Sequence, residues 1–95
     1  METGNQKMFI CEHQVVPNLN REMLQEIHSS VREGVGVLYS FSNIDEKCMY
    51  SVIKSPDRLS IEAFFSELRI PCDSIMEVQA FVEGKGIIED WKQAA

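Results

Sequence analysis

Residues with chemically useful side chains follow one another in the stretch Met8–Pro17, near the start of the chain. Cys11 offers a thiol, Glu12 a carboxylate and His13 an imidazole. Imidazole and thiolate suit borderline transition metals, and histidine is also a frequent general base. Two donors are too few for a tight metal site, so a ligand from another strand or another subunit is required. We therefore take His13, Cys11 and Glu12 as candidate metal ligands.

The stretch that carries these residues is typical of a β-strand. It contains β-branched and aromatic residues and ends at Pro17, which cannot donate a hydrogen bond to a sheet. Side chains alternate in direction along a strand. Cys11 and His13 are therefore expected on one face, and Glu12 and Gln14 on the other.

The further ligand depends on which face of the strand holds the site. His28, on the first predicted helix, would approach if His13 points toward the helices. Glu77 would approach Glu12 if the site lies on the uncovered face, because their strands are expected to be neighbours. The alternative is that His13 is an ordinary strand residue near the end of the sheet.

Hydrophobic periodicity and turn residues predict the other elements. Asn20 and Asp57 are suitable helix N-caps, and Gly34 and Pro71 are suitable helix stops. The predicted elements are a strand at Met8–Pro17, a helix at about residues 21–33, strands at Val35–Ser42 and Cys48–Lys54, a helix at about residues 58–69, a strand at Ile75–Glu83 and a short helix at Ile87–Gln93.

This order of elements predicts an α+β fold of the ferredoxin-like βαββαβ type. Two helices would cover one face of a four-stranded antiparallel sheet, with the first strand between the third and the fourth. We expect a single domain over residues 1–95, with a core at about 8–83 and a C-terminal extension at 84–95. The uncovered face of the sheet must be covered by a second copy of the chain, by the tail or by a ligand. We expect a homodimer formed sheet to sheet, with the tail around Trp91 at its edge.

The net charge of −6 argues against binding to nucleic acid, which needs a basic surface. No apolar run approaches the ~18 residues of a membrane helix, and the start does not resemble a signal peptide. Three widely spaced cysteines without a Cys-x-x-Cys motif indicate reduced thiols. We therefore expect a cytoplasmic protein that binds neither nucleic acid nor a membrane.

Two runs in the second half resemble a small bacterial domain family of unknown function. Cys48–Ile61 contains a strand, a Ser-Pro pair and a capping Asp, and Arg69–Val78 resembles the family motif Gly-x-Pro-x-x-x-Ile-x-Glu-Val. Ser40–Ser42 and Phe9–His13 resemble the second and first strands of the family. The positions that match these motifs are Pro56, Pro71, Ile75, Glu77 and Val78.

The resemblance implies a ferredoxin-like homodimer, and some relatives are described as nickel-binding proteins. The resemblance places the metal ligand at His13. The family carries no established enzymatic activity. This chain has Ser51 where the family often has Cys, and Gln14 where some relatives have a second His. Arg69 replaces the family's Gly before the Pro motif.

Three functions follow from these observations. The first is a small homodimeric binding protein that sequesters or delivers a divalent transition metal such as nickel. The second is a cofactor-free enzyme of the oxygenase or isomerase type, with His13, His28 and Tyr39 as the groups to test. The third is a purely structural dimerisation module. We favour the binding protein over the enzyme.

Overall fold

A computed structural model describes residues 6–30, 34–84 and 86–88. The described residues form an α+β fold with two helices and a four-stranded antiparallel sheet, which confirms the predicted class. The elements are β1 (Lys7–His13), α1 (Arg21–Ser29), β2 (Gly36–Asn43), β3 (Cys48–Ser55), α2 (Arg58–Leu68), β4 (Ser74–Val78), β5 (Phe81–Glu83) and β6 (Gly86–Ile88).

The four-stranded sheet has the order β2-β3-β1-β4, so β1 is internal, as predicted. Its neighbours are β3 and β4, and both pair with it antiparallel. Cys11 lies opposite Ser51 on one side and opposite Ile75 on the other. The strand with the candidate ligands is thus fixed by hydrogen bonds along both edges.

One face of the sheet packs against both helices, and we call it the core face. On β1 the side chains of Phe9, Cys11 and His13 are buried on this face. The helices contribute Ile27, Phe64 and other apolar residues to the same cluster. Burial of each large side chain stabilises the fold by about 1.5–3 kcal/mol, so this cluster holds helices and sheet together. The cluster consists of Phe9, Cys11, Val16, Leu19, Ile27, Val35, Met49, Ile53, Ile61, Phe64, Phe65 and Ile70.

A bulge in β2 changes the face on which its aromatic residues lie. Val37 pairs with Ile53, but Tyr39 pairs with the next residue, Val52, so Leu38 is an extra residue. The inserted residue reverses the alternation of side chains. Tyr39 and Phe41 therefore point to the sheet side opposite the helices, which we call the open face. It carries Met8, Ile10, Glu12, Tyr39, Phe41, Tyr50, Val52, Lys54, Ser74 and Met76, together with Val78, which is buried.

Both helices begin at the predicted caps. The side chain of Asn20 accepts from Met23 N–H at 2.8 Å, and that of Asp57 accepts from Ser60 N–H at 2.8 Å. The first helix ends earlier than predicted, because Ser30 has extended backbone angles and its N–H bonds back to Glu26 O. Residues 31–33 of the predicted helix lie outside the described part. No described helix is long and apolar enough to cross a membrane.

Three strand and tail predictions are wrong. The first strand stops at His13 and not at Pro17, because Gln14 N–H donates to the Asp73 carboxylate at 2.6 Å. The predicted strand Ile75–Glu83 is divided into β4 and β5, since the chain leaves the sheet after Val78. Gly86–Ile88 forms β6, antiparallel to β5, where a helix was expected. The rest of that helix, with Trp91, lies outside the described residues.

Candidate functional site

The three candidate ligands do not converge on one point. Cys11 and His13 lie on the core face and are completely buried. Glu12 lies between them in sequence and points to the open face, opposite Tyr50 and Ser74. The alternation of side chains along β1 thus separates the carboxylate from the thiol and the imidazole.

Both ring nitrogens of His13 take part in buried hydrogen bonds. Nδ1 lies 2.8 Å from Pro71 O, and Nε2 lies 3.1 Å from Ser51 Oγ. The carbonyl can only accept, so Nδ1 carries the proton and Nε2 accepts from the Ser51 hydroxyl. The ring also meets Phe65 edge to face, with centroids 4.5 Å apart. A neutral imidazole therefore satisfies this site without a further ligand.

Burial lowers the pKa of His13 below its ordinary value of 6.5. The hydrogen bond to Pro71 O and the charge of Asp73 raise the pKa, but they offset burial only in part. The imidazolium form would lose its hydration shell inside the core. The environment thus favours the neutral ring.

The additional ligands expected from the sequence are not near the candidates. His28 is exposed in the last turn of α1. Glu77 lies opposite Phe9, which places it on the other side of the sheet from Glu12, so the expected approach of these carboxylates is wrong. Among the described residues, no group of three or more His, Cys, Asp or Glu side chains is arranged to hold a metal ion.

Glu12 is the centre of a polar group on the open face. The Ser74 hydroxyl donates to Oε1 at 3.2 Å, and the Tyr50 hydroxyl donates to Oε2 at 3.4 Å. The Gln14 amide also donates to Oε2, at 3.3 Å. These bonds hold the carboxylate in one orientation on a face that is otherwise largely apolar.

Large apolar side chains surround Glu12 on the open face. Tyr39 and Phe41 stack with centroids 6.2 Å apart and are 63% and 61% exposed. Tyr50 is 47% exposed and Met76 is 57% exposed. The β2 bulge creates this aromatic group, and its position could not be derived from the sequence pattern.

A second pair of reactive groups was not predicted from the sequence. Cys72, which precedes β4, packs against the core cluster that contains Cys11. Cys72 also lines an open cleft of about 260 Å³ between α2 and β4. The two cysteines are distant in sequence and have no shared motif, so only the pairing of β1 with β4 reveals that they pack in the same part of the core.

The arrangement expected for an enzyme is not found at the predicted residues. His13 is buried on the core face, Tyr39 is exposed on the open face, and His28 is exposed on α1. None of the three lines the 260 Å³ cleft or a wider cleft of about 590 Å³ beside the start of α1. These residues therefore do not share a pocket in which they could act together.

Comparisons with models of known families, with curated proteins and with solved structures found no match. The family resemblance described above therefore stays a prediction, and function must be argued from the geometry of the chain itself.

Proposed function

We propose that the chain is a small homodimeric binding protein with the ferredoxin-like arrangement, and that two copies pair through their open faces. The order of elements up to β4 and the strand order β2-β3-β1-β4 support this architecture. The hairpin of β5 and β6 follows as an addition to it.

The observation that carries the proposal is an apolar row across all four strands of the open face. The strand register aligns Met76, Ile10, Val52 and Tyr39 in this order. Phe41 and Tyr50 extend the row on the side of β2 and β3. Removing apolar surface from water is worth roughly 25 cal/mol per Å², so covering this face would release appreciable free energy.

Charges on the open face favour a second copy of the chain as the partner. Glu12 and Lys54 flank the apolar row on opposite sides. A two-fold axis that crosses the strands at the level of Ile10 and Val52 would bring the partner's Lys54 to the level of Glu12. At each end of this isologous interface, a positive charge of one copy would then face a negative charge of the other. A partner with charge of a single sign would match only one of the two ends.

The size of the open face indicates how strong this dimer would be. At the usual strand spacing and rise, four strands of this length give a face about 19 Å wide and about 17–26 Å long. This is smaller than the ~800 Å² per partner of a standard interface. We therefore expect a weak dimer that dissociates on dilution.

The ligand suggested by the sequence is a divalent transition metal such as nickel. In a single chain, His13 Nε2 would have to release the Ser51 hydroxyl before it could bind a metal, whereas Nδ1–H could keep its hydrogen bond to Pro71 O. Glu12 lies on the other face. Nickel binding would therefore need donors from a second copy or from outside the described residues, and it is a hypothesis to be tested separately from pairing.

Sedimentation velocity over a range of protein concentrations tests the dimer. The unmodified chain should move from monomer to dimer as concentration rises, and Tyr39→Lys should remain monomeric because it places a charge in the apolar row. Leu59→Lys is the matched control, since Leu59 is 73% exposed on α2, away from the open face. The proposal would be contradicted if the unmodified chain stayed monomeric at every concentration, or if both variants lost the dimer to the same extent.

Native mass spectrometry with added nickel tests the ligand. Uptake of a whole number of ions that is lost in His13→Gln would support the metal hypothesis. If the chain forms dimers but takes up no nickel, the metal hypothesis is wrong and the proposed dimer is unaffected. Circular dichroism of each variant shows whether the fold has been preserved.

A further inference from the structure

We propose that Cys72 and Cys11 form a redox-reactive thiol pair, in which Cys72 is oxidised by a hydroperoxide and Cys11 then resolves it to a disulfide. This inference is independent of the open face and of the proposed dimer.

The segment that carries Cys72 is fastened to β1 on both sides of the cysteine. On one side, His13 Nδ1–H donates to Pro71 O at 2.8 Å, and on the other, Asp73 N–H donates to Glu12 O at 2.7 Å. Cys72 therefore lies against the strand that contains Cys11 and packs on the core cluster.

Access from solvent distinguishes the two sulfurs. Cys11 is completely buried, whereas Cys72 is only partly buried and lines the cleft between α2 and β4. Arg58 lies at the same cleft, where its Nε is 3.2 Å from Glu62 Oε2. A small oxidant from solution therefore meets Cys72 first, and Cys11 is reached only through it.

The surroundings also favour ionisation at the accessible sulfur. Interaction with the Cys11 thiol lowers the pKa of Cys72 below its ordinary value of 9.0. The charge of Arg58 acts in the same direction, whereas burial and the charge of Asp73 oppose it. The Cys72 thiol itself donates to Ser74 O at 3.6 Å. The interaction between the two cysteines, together with burial, raises the pKa of Cys11. The thiolate, which is the reactive form, is thus favoured at Cys72.

The chemistry follows from these two roles. The Cys72 thiolate attacks one peroxide oxygen, the O–O bond breaks, and the leaving oxygen takes up a proton and departs as water or an alcohol. The sulfur becomes a sulfenic acid, oxidised by two electrons. The Cys11 sulfur then attacks the Cys72 sulfur and gives up its proton. The S–O bond breaks, and the hydroxyl leaves with that proton as water.

Closure of the disulfide joins two cysteines that pack in the same part of the core. Cys72 packs against the core cluster that contains Cys11, and in the disulfide the two sulfurs lie about 2.05 Å apart. A thiol reductant restores the pair by exchange: its sulfur attacks the disulfide, a second reductant thiol releases the mixed disulfide, and the reductant leaves as its own disulfide. The cycle therefore returns both cysteines to the reduced state.

Mass spectrometry of the whole chain treated with hydrogen peroxide tests this inference. We expect the intact mass to fall by two hydrogens, digestion to yield a peptide pair linked through Cys11 and Cys72, and dithiothreitol to reverse both changes. In Cys11→Ser the sulfenic acid at Cys72 should persist and be trapped by dimedone. Cys48→Ser is the matched control, because Cys48 is also partly buried and should not affect the linkage.

Alkylation of the reduced, unmodified chain provides a measurement that needs no variant. Iodoacetamide should label Cys72 several-fold faster than Cys48, and Cys11 should remain unlabelled until the chain unfolds. A disulfide that forms with Cys48 as readily as with Cys11, or equal labelling rates at Cys72 and Cys48, would overturn the inference. So would a chain that acquires no internal disulfide under peroxide.

Discussion

His13 Nε2 lies 3.1 Å from Ser51 Oγ, and this hydrogen bond joins the two central strands of the sheet inside the core. The other nitrogen of the ring bonds to Pro71 O, in the segment that leads into β4. The imidazole thus connects β1, β3 and the chain before β4 at a single buried point. Its hydrogen bonds make His13 a contributor to stability whether or not it binds a ligand.

Ser51→Ala should lower the stability of the fold. The change removes the donor to His13 Nε2 and leaves a buried acceptor without a partner, which costs about 1–3 kcal/mol in the free energy of unfolding. Urea denaturation followed by circular dichroism measures the loss. Ser40→Ala, at the exposed position opposite Ser51 on β2, should change stability by less than about 0.5 kcal/mol. Equal losses in the two variants would show that the bond to His13 contributes nothing.

The lowered pKa of His13 predicts that stability falls as the pH drops below about 6.5. In this range the unfolded chain binds a proton that the buried ring does not, so acid favours the unfolded state. The loss ends once the pH passes below the lowered native pKa, and above 6.5 the contribution is complete. Urea denaturation at a series of pH values should give a shallower slope over this window in His13→Gln than in the unmodified chain.

His28→Gln is the control for this pH profile, because His28 is the other histidine of the chain and is exposed. It should keep the slope of the unmodified protein between pH 6.5 and the native pKa of His13. If His13→Gln and the unmodified chain gave parallel profiles, the pH dependence would have to come from carboxylates.

Arg69→Gly should stabilise the chain. Arg69 is the C-cap of α2 and has a left-handed backbone with φ 60°. A side chain in this region costs roughly 1–2 kcal/mol, and glycine removes the clash but loses more backbone entropy on folding. We expect a net gain of about 0.5–1 kcal/mol by thermal or urea denaturation. Ser66→Gly, within the same helix and exposed, should instead destabilise it by about 0.5–1 kcal/mol.

The fold class was predictable because its signals are local. Apolar periodicity distinguished helices from strands, and Asn20 and Asp57 marked the helix starts through side-chain bonds to residues one turn ahead. The alternation along β1 placed Cys11 and His13 on one face and Glu12 on the other. These features depend on residues close in sequence, which a single chain reveals directly.

The contacts of the candidate site depend on distant residues and were not predictable. Nothing around His13 indicates that Pro71 and Ser51 will occupy its two nitrogens. The extra residue Leu38 moves Tyr39 to the open face, although the sequence of β2 continues to alternate. Such a bulge is set by strand pairing, so the aromatic surface became evident only from the register.

Ser51→Cys should increase the affinity of the chain for nickel. Position 51 lies opposite Cys11 and beside His13 Nε2, so the change would place a second thiol next to an existing thiol and an imidazole. Sulfur and nitrogen donors suit nickel. The measurement is nickel retention after equilibrium dialysis, with thiolate-to-nickel absorption as a second signal. Ser40→Cys adds a thiol at an exposed position and should retain no more nickel than the unmodified chain. Equal retention by both variants would mean that the buried group of donors is not a site for the metal.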